Sequence, residues 1–402
     1  LAELVRRGAP ARLLMVGGKV GSSDPTNMAY LAKVEKLIDD LHVAEVFQAA
    51  GYHTAALSDT PFNNGAHMDR GFSEFVHFPM GKCLPPVDGR EVMDYSDAYF
   101  PPGYPEKEVL YYAKTKTNRQ ICNELHGVCP GEYFFNEVCG WLQEHRSDPF
   151  FLWVDSFQPH EPWDSDETYR RMYEPYLGYE GRYLPMPMAP DSDKWMMPGD
   201  IEHVRALYKA GVTETDVYVG RVLDKLDELG LAEDTAVFLL SDHGMPLGEH
   251  GMVRKFGYPL HDELSRIVWM VRQPGGVPAG ARVPALVSNV DFVPTVLEMC
   301  GLAVDQDLAG SSLLPLMQGE VESVRDALFL GAYNFRTGVR TMQHKFIDNR
   351  GEKPDELYDM VTDPLEQHNI LAEEPELGAC LHRQVWEFHA PWQVKHSRHH
   401  NR

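Results

Sequence analysis

The chain has 402 residues, with 37 Lys or Arg against 60 Asp or Glu and a formal net charge of −23. That length buries a substantial core, as one large domain with an appendage or as two domains, so neither a small stapled scaffold nor a disordered tail fits. The acidic residues are spread along the whole chain, which argues against sequence-independent nucleic-acid binding and leaves room for a local basic pocket that holds an anion.

Leu41 to Ala50 has a helical pattern and stops at Gly51, where a C-terminal cap glycine is expected. Thr54-Ala55-Ala56-Leu57 then runs into Ser58-Asp59. Residues 82–118 and 169–200 are rich in Pro, Tyr and Asp and are predicted as long surface excursions, with Trp163, Trp195 and the tyrosines available to stack on a sugar or aryl ring. Phe150-Phe151-Leu152-Trp153-Val154 runs into Asp155 and Pro159-His160-Glu161. Ile201 to Leu229 is a long amphipathic helix ending at Gly230, and Ala236-Val237-Phe238-Leu239-Leu240 runs into Ser241-Asp242-His243.

Apolar runs of this kind are continuous rather than alternating, which suits strands covered on both faces. Strand and helix in repeated succession predict an α/β fold, a doubly wound, mostly parallel sheet flanked by helices. In such sheets ligands bind beyond the carboxyl ends of the strands, where the three polar clusters fall. After about residue 320 the pattern predicts short strands at Ala327 to Tyr333 and Val339 to Asp348 and an amphipathic segment at Leu377 to Phe388. The expected division is a main domain over 1–319 and a small antiparallel C-terminal subdomain over 320–402, ending in a frayed tail with His396, His399 and His400.

Cys83, Cys122, Cys129, Cys139, Cys300 and Cys380 form no C-x-x-C pair. They read as free or buried thiols of a reducing compartment, with a Cys122–Cys129 or Cys129–Cys139 bridge as the alternative. No apolar run approaches the roughly 20 residues that span a bilayer, and no signal-peptide pattern opens the chain, so the location expected from the sequence as it stands is cytoplasmic, with export as the alternative. The first residue is Leu rather than Met.

The stretch from Ser241 to Lys255, SDHGMPLGEHGMVRK, places a carboxylate and an imidazole at the end of an apolar run. Asp242 and His243 suit a divalent cation, and Lys255 suits an anionic ester oxygen. The spacing of His243, His250 and His261 also allows a zinc cluster as a lesser alternative. His160, held between Pro159 and Glu161-Pro162, has a restricted backbone and is a candidate proton donor to a leaving group.

Together these segments resemble the sulfatase family within the alkaline-phosphatase-like superfamily. The matching pieces run in order from Ala49-Ala50-Gly51-Tyr52-His53-Thr54-Ala55 and Asp69-Arg70-Gly71-Phe72 through Pro149 to Trp163, Thr213 to Leu229 and Thr235 to Lys255. They continue with Val287 to Gly301 and end at Glu356-Leu357-Tyr358-Asp359, Asp363-Pro364 and Asn369. The resemblance implies a metal-dependent hydrolase of small-molecule or saccharide sulfate monoesters. Phosphate and phosphonate monoester hydrolysis, or a catalytically inactive binding protein, are its alternatives. It further implies Ca2+, or Mg2+ or Mn2+, held in part by Asp242 and His243, and a substrate site using His160 and Lys255.

The same resemblance implies a nucleophile in a C-x-P-x-R motif and two more metal-binding aspartates at the end of an N-terminal strand. The nearest motif is Gly8-Ala9-Pro10-Ala11-Arg12, followed by Gly17-Gly18, so that Gly8 stands at the nucleophile position and Arg12 at that of a substrate-binding arginine. Ser23-Asp24-Pro25-Thr26-Asn27 and Cys83-Leu84-Pro85-Pro86 lack the arginine. No segment ahead of residue 8 supplies the aspartate-bearing strand, so the chain is expected to be truncated or divergent there. With Asp242 and His243 as its only ligands a hard cation is held weakly, and little turnover is expected.

Overall fold

The computed structural model describes residues 12–17, 43–61, 69–82, 84–94, 97–173, 179–187, 192–255, 259–303, 308–332 and 336–393. Gly8, Ser23 to Asn27, Cys83 and the histidines of the C-terminal tail lie outside the described residues.

Six strands form the main sheet: β1 (Arg12–Gly17), β2 (His53–Ser58), β3 (Glu74–His77), β4 (Phe150–Asp155), β5 (Thr235–Leu240) and β6 (Trp269–Arg272). Their order is β3-β2-β4-β1-β5-β6, and every neighbouring pair is parallel except β5 with β6. Side chains alternate between faces along a strand, so β1 feeds two cores. Leu14 and Val16 join Phe134, Phe135 and Val138 of α3 (Pro130–Glu144) and Tyr218, Val222 and Leu226 of α4 (Asp200–Glu228). Leu13 and Met15 join Phe47 of α1 (Val43–Ala49) and Phe292 and Val296 of α5 (Phe292–Met299). Helices therefore cover both faces, as the unbroken apolar runs predict.

The helix stops are also where the sequence places them, with Gly51 at φ 91° and Gly230 at φ 68°. Five described cysteines, Cys122, Cys129, Cys139, Cys300 and Cys380, are free thiols, which removes both bridge alternatives. Between Tyr169 and Asp200 the described residues hold only two four-residue helices, in keeping with an excursion.

Three expectations need correction. Residues 12–17 do not follow a motif at the substrate edge but form the central strand, because Leu13-Leu14-Met15-Val16 is apolar enough to be buried on both faces between β4 and β5. The excursion at 82–118 contains the start of α2 (Glu106–His126), which buries Tyr112, Ala113, Thr117, Asn118 and Ile121. Its apolar face is interrupted by Thr115, Thr117 and Asn118, whose donors bond internally: Thr115 Oγ1 donates to Tyr111 O, Thr117 Oγ1 to Ala113 O, and Asn118 Nδ2 to Leu84 O. Val339 to Asp348 is not one strand but a hairpin of β8 (Arg336–Thr341) and β9 (His344–Asp348).

This hairpin, with β7 (Ala327–Ala332) and β10 (Glu356–Asp359), makes an antiparallel sheet of order β10-β9-β8-β7. Val339, Phe346 and Leu357 pack under Leu381 and Val385 of α6 (Pro375–Gln393). The sheet is tied to the main layer by a buried charge. Lys345, fully buried on β9, donates to Glu366 Oε1 at 2.6 Å, Asp262 Oδ1 at 2.8 Å and Ser265 Oγ at 3.2 Å. Breaking a buried pair by removing one partner strands the other charges. Lys345→Met is expected to lower stability by about 3–5 kcal/mol in urea unfolding; an unchanged midpoint would show that this ammonium does not join the two sheets.

Candidate active site

The carboxyl ends of β2, β4 and β5 carry the polar clusters. After β4 the chain turns through cis Gln158–Pro159 and Glu161–Pro162 peptide bonds, and the His160 ring stacks on Phe157 with centroids 3.9 Å apart. His160 Nδ1 lies 2.5 Å from Glu161 O, so this nitrogen carries the proton and donates it to the carbonyl. Nε2 is left as an acceptor, and Lys255 Nζ donates to it at 2.8 Å. A second ammonium, Lys82 Nζ, donates to the His160 carbonyl at 2.5 Å. One cation thus meets the neutral imidazole and a second the backbone carbonyl of the same residue, an arrangement that receives an anion.

Burial pushes the His160 pKa down to about 3, against Glu161 and with the help of the Lys255 and Lys82 charges. The proton donor expected at this position is therefore neutral at rest. An arriving anion has to take over Lys255 before Nε2 can accept a proton.

Lys255 owes its place to its neighbour. Arg254, buried and at φ 65°, reaches Glu161 Oε1 through Nε at 2.9 Å and Glu108 Oε2 on α2 through Nη1 at 2.7 Å, and it donates to Pro187 O at 3.2 Å. Burial opposes the charged form of Glu161, but the Arg254 and Lys255 charges outweigh it and hold this carboxyl well below the usual range. Upstream, Arg205 Nε donates to Leu247 O at 2.8 Å and Arg254 N to Pro246 O at 2.9 Å, so the 241–255 loop is closed on itself and on α4.

Asp242 is exposed and His243 half-buried. Asp242 Oδ1 accepts from His243 N at 2.9 Å, His243 Nδ1 donates to Gly244 O at 2.6 Å, and His243 Nε2 lies 3.5 Å from Asp242 Oδ2. The two donors face each other. Burial, and then the charges of Asp242 and Glu161, push the Tyr208 hydroxyl up in pKa. Gly244 has a structural duty as well: a Cβ there would stand 2.2 Å from Glu263 O, so the strand exit needs glycine to pack against 263–266.

A hard cation such as Ca2+ seeks roughly six or more oxygens. β1 ends at Gly17, opposite Asp155 and Leu240, and a glycine supplies no side-chain oxygen. Asp242 and His243 belong to neither three-residue group of potential ligands among the described residues. Among the described residues Asp242 and His243 alone do not complete such a shell, and residues 18–42, which follow β1, lie outside the described residues. The alternative zinc cluster fails: His250 and His261 stack at 3.8 Å, but His243 does not join them.

Arg12 is a second correction. It begins β1, at the edge of the sheet away from Lys255, and its guanidinium is held by Asp234 Oδ2 at 2.7 Å and by the Asp148 and Arg146 carbonyls at 3.1 and 2.9 Å. A parallel strand puts its first and last residues at opposite edges, so Arg12 clasps the loops that enter β4 and β5 and binds no substrate.

Sequence reasoning passed over Lys82, Glu108 and Arg254, because nothing local marks residues that meet only through the fold. Asp59 supports His160 indirectly: its Oδ1 accepts from Phe157 N at 2.6 Å, under the ring on which His160 stacks. Ser58 and Thr60 hydroxyls donate to Asp155 Oδ2 beside it, at 2.9 and 3.1 Å. Burial, with Asp155 adding, pushes the Asp59 pKa up to about 7.

Opposite pH dependences follow. His160 has a folded pKa of about 3, below its unfolded value, so its contribution is present above the unfolded value and lost as pH falls toward 3. His160→Gln should flatten the acid limb of a melting-temperature profile in that window. Asp59, with a folded pKa of about 7, contributes below its unfolded value, and the contribution is lost as pH rises through 7. Asp59→Asn should therefore melt higher than the parent at pH 8; a lower melting temperature there would contradict a carboxyl held neutral.

The sulfatase family pattern matches residues 20–302, and that of the N-sulphoglucosamine sulphohydrolase C-terminal region matches 248–390. The chain is 33% identical over 177 residues to an N-acetylglucosamine-6-O-sulfatase of Bacteroides thetaiotaomicron, a stretch covering 41% of this chain and 31% of the relative's length. Among solved structures, an enzyme in complex with its substrate D-glucosamine-2-N,6-O-disulfate superposes with a TM-score of 0.69 at 19% identity, covering 98% of this chain and 93% of the other. A phosphonate monoester hydrolase of Agrobacterium radiobacter gives 0.65 at 21%, covering 95% and 96%. At such identities the two structures speak for the fold, while the long sequence match decides the family: this chain belongs to the sulfatase family.

Proposed function

We propose that this chain hydrolyses sulfate monoesters of saccharides at the carboxyl edge of its parallel sheet. The reading rests on one observation, the Lys255 ammonium 2.8 Å from the neutral His160 Nε2, with Lys82 adding positive charge to the same turn. A sulfate monoester carries its charge on peripheral oxygens, which the Lys255 ammonium can receive. Once Lys255 turns to the sulfate, His160 Nε2 is released, and the bound anion favours its protonated form. The imidazolium then donates that proton to the departing sugar oxygen as water forms its bond to sulfur and the ester S–O bond breaks, which is general acid catalysis. A proton from that water restores the imidazolium and leaves sulfate as the product. Glu161 and Arg254 hold both groups in place without touching the ester. The relatives named above, one a glucosamine-ester sulfatase and one bound to a sulfated glucosamine, support sugars as the alcohol component.

Ester binding without turnover is the second reading, and Gly17 favours it, because β1 brings no carboxylate to the site. The Agrobacterium radiobacter neighbour, a phosphonate monoester hydrolase, keeps phosphonate monoesters in view as ligands of this edge of the sheet.

Titration calorimetry with glucosamine 6-sulfate, beside 4-nitrophenyl sulfate turnover, separates these readings. Lys255→Ala should weaken binding by roughly 10- to 100-fold, as expected for a lost charge-assisted hydrogen bond. In a chain that turns over, His160→Asn should slow esters with poor leaving groups more than those with good ones. Binding without release of sulfate decides for the second reading; tighter binding of the phosphate ester than of the sulfate would overturn the substrate assignment.

A further inference from the structure

At the opposite, amino-terminal edge of the sheet stands a cluster that the ester site does not use. We propose that His53, Glu74 and His145 form a binding site for a divalent transition metal of the Zn2+ class, tying β2 and β3 to the end of α3. His53 opens β2, Glu74 opens β3 and His145 caps α3. One ligand atom from each lies within 4.8 Å of the others. Glu74 Oε1 is 2.9 Å from His53 Nε2 and 3.5 Å from His145 Nε2. Donors around a tetrahedral Zn2+ with bonds of about 2.0–2.2 Å sit roughly 3.3 Å apart, so an ion fits with small side-chain adjustments.

The groups behind the three ligands make this more than a chance meeting of side chains. The Trp141 indole N–H donates to Glu74 Oε2 at 2.7 Å, which fixes that carboxylate and leaves Oε1 facing the imidazoles. Asp148 Oδ2 lies 3.1 Å from His145 Nδ1, so that nitrogen carries the proton and Nε2 keeps its lone pair for a metal. A carboxylate on the far nitrogen of a ligating histidine orients the ring and raises its basicity. The Trp141 ring stacks on His145 at 4.3 Å and meets His53 edge-on at 5.7 Å, walling one side. Without a metal His53 Nε2 donates to Glu74 Oε1 at 2.9 Å, so an ion at this position displaces that proton and takes the Nε2 lone pair. The side chains are 27%, 35% and 18% exposed, so an ion can enter and a water can complete the shell.

The other three-residue group, His250, His261 and Glu263, is unsuited by comparison. All four of its ring nitrogens already face Glu263, Glu356 or an oxygen of Glu366, and Lys345 supplies positive charge to the Glu366 carboxylate.

The test uses the full chain with His396, His399 and His400 replaced by alanine, so that the tail contributes no ligand. Titration calorimetry with Zn2+ should give one equivalent bound. Co2+ in its place should show visible d–d absorption of a four-coordinate site. Glu74→Gln, which keeps a partner for Trp141, and the His53→Ala/His145→Ala double variant should each abolish both signals, with metal-free melting temperatures confirming that the variants fold. Asp148→Asn should weaken Zn2+ binding roughly 10- to 100-fold, as for other groups that orient a ligand from behind. Absence of Zn2+ binding by the parent, or unchanged stoichiometry in the double variant, would overturn the proposal.

Discussion

The site depends on the pairing of Arg254 with Glu161 and Glu108. One buried guanidinium joins the loop after β5, the turn after β4 and the first turn of α2, which lie 93 and 146 residues apart from it in sequence. Such a pair is costly to desolvate and is stable only when its remaining donors and acceptors are met, as the Pro187 carbonyl helps to do here. Its consequence is geometric: Lys255 follows Arg254 and His160 precedes Glu161, so fixing the buried pair fixes the ammonium beside the imidazole.

The polarity of the parallel sheet separates two kinds of chemistry. At the carboxyl edge, two lysines meet the turn of a neutral histidine whose neighbouring carboxylate, Glu161, is taken up by Arg254, an arrangement suited to an anion. At the amino edge, Arg12 clasps the entering loops and two imidazoles share a carboxylate, an arrangement suited to a cation. The C-terminal sheet reaches the first of these regions through Lys345, Glu366 and His261, and His250 Nε2 bonds the Glu366 carbonyl at 2.8 Å. Because His250 lies on the loop that carries Lys255, the small subdomain braces the anion site from behind.

The apolar runs of β2, β4 and β5 announced buried strands because a strand covered on both faces has no position for a polar side chain. Gly51 and Gly230 announced helix ends because only glycine takes the left-handed cap without penalty. Ser241 to Lys255 and Pro149 to Asp164 carried Asp242, His243, Lys255 and His160 in recognisable order. The strand at 12–17 was hidden because Gly-Ala-Pro-Ala-Arg ahead of it resembles a different motif, and α2 because its buried face includes threonines and an asparagine.

By itself, then, the sequence determined the fold class, the edge of the sheet at which chemistry belongs and the family. Periodicity, glycine caps and short ordered motifs are local properties of a chain, and these conclusions need nothing more. Only the tertiary structure decided that Arg12 is a clasp, that His160 is neutral under Lys255, and that His53, Glu74 and His145 converge. Each of those depends on which residues a parallel register and a packed helix bring within a few ångströms, a distance that no spacing along the chain encodes.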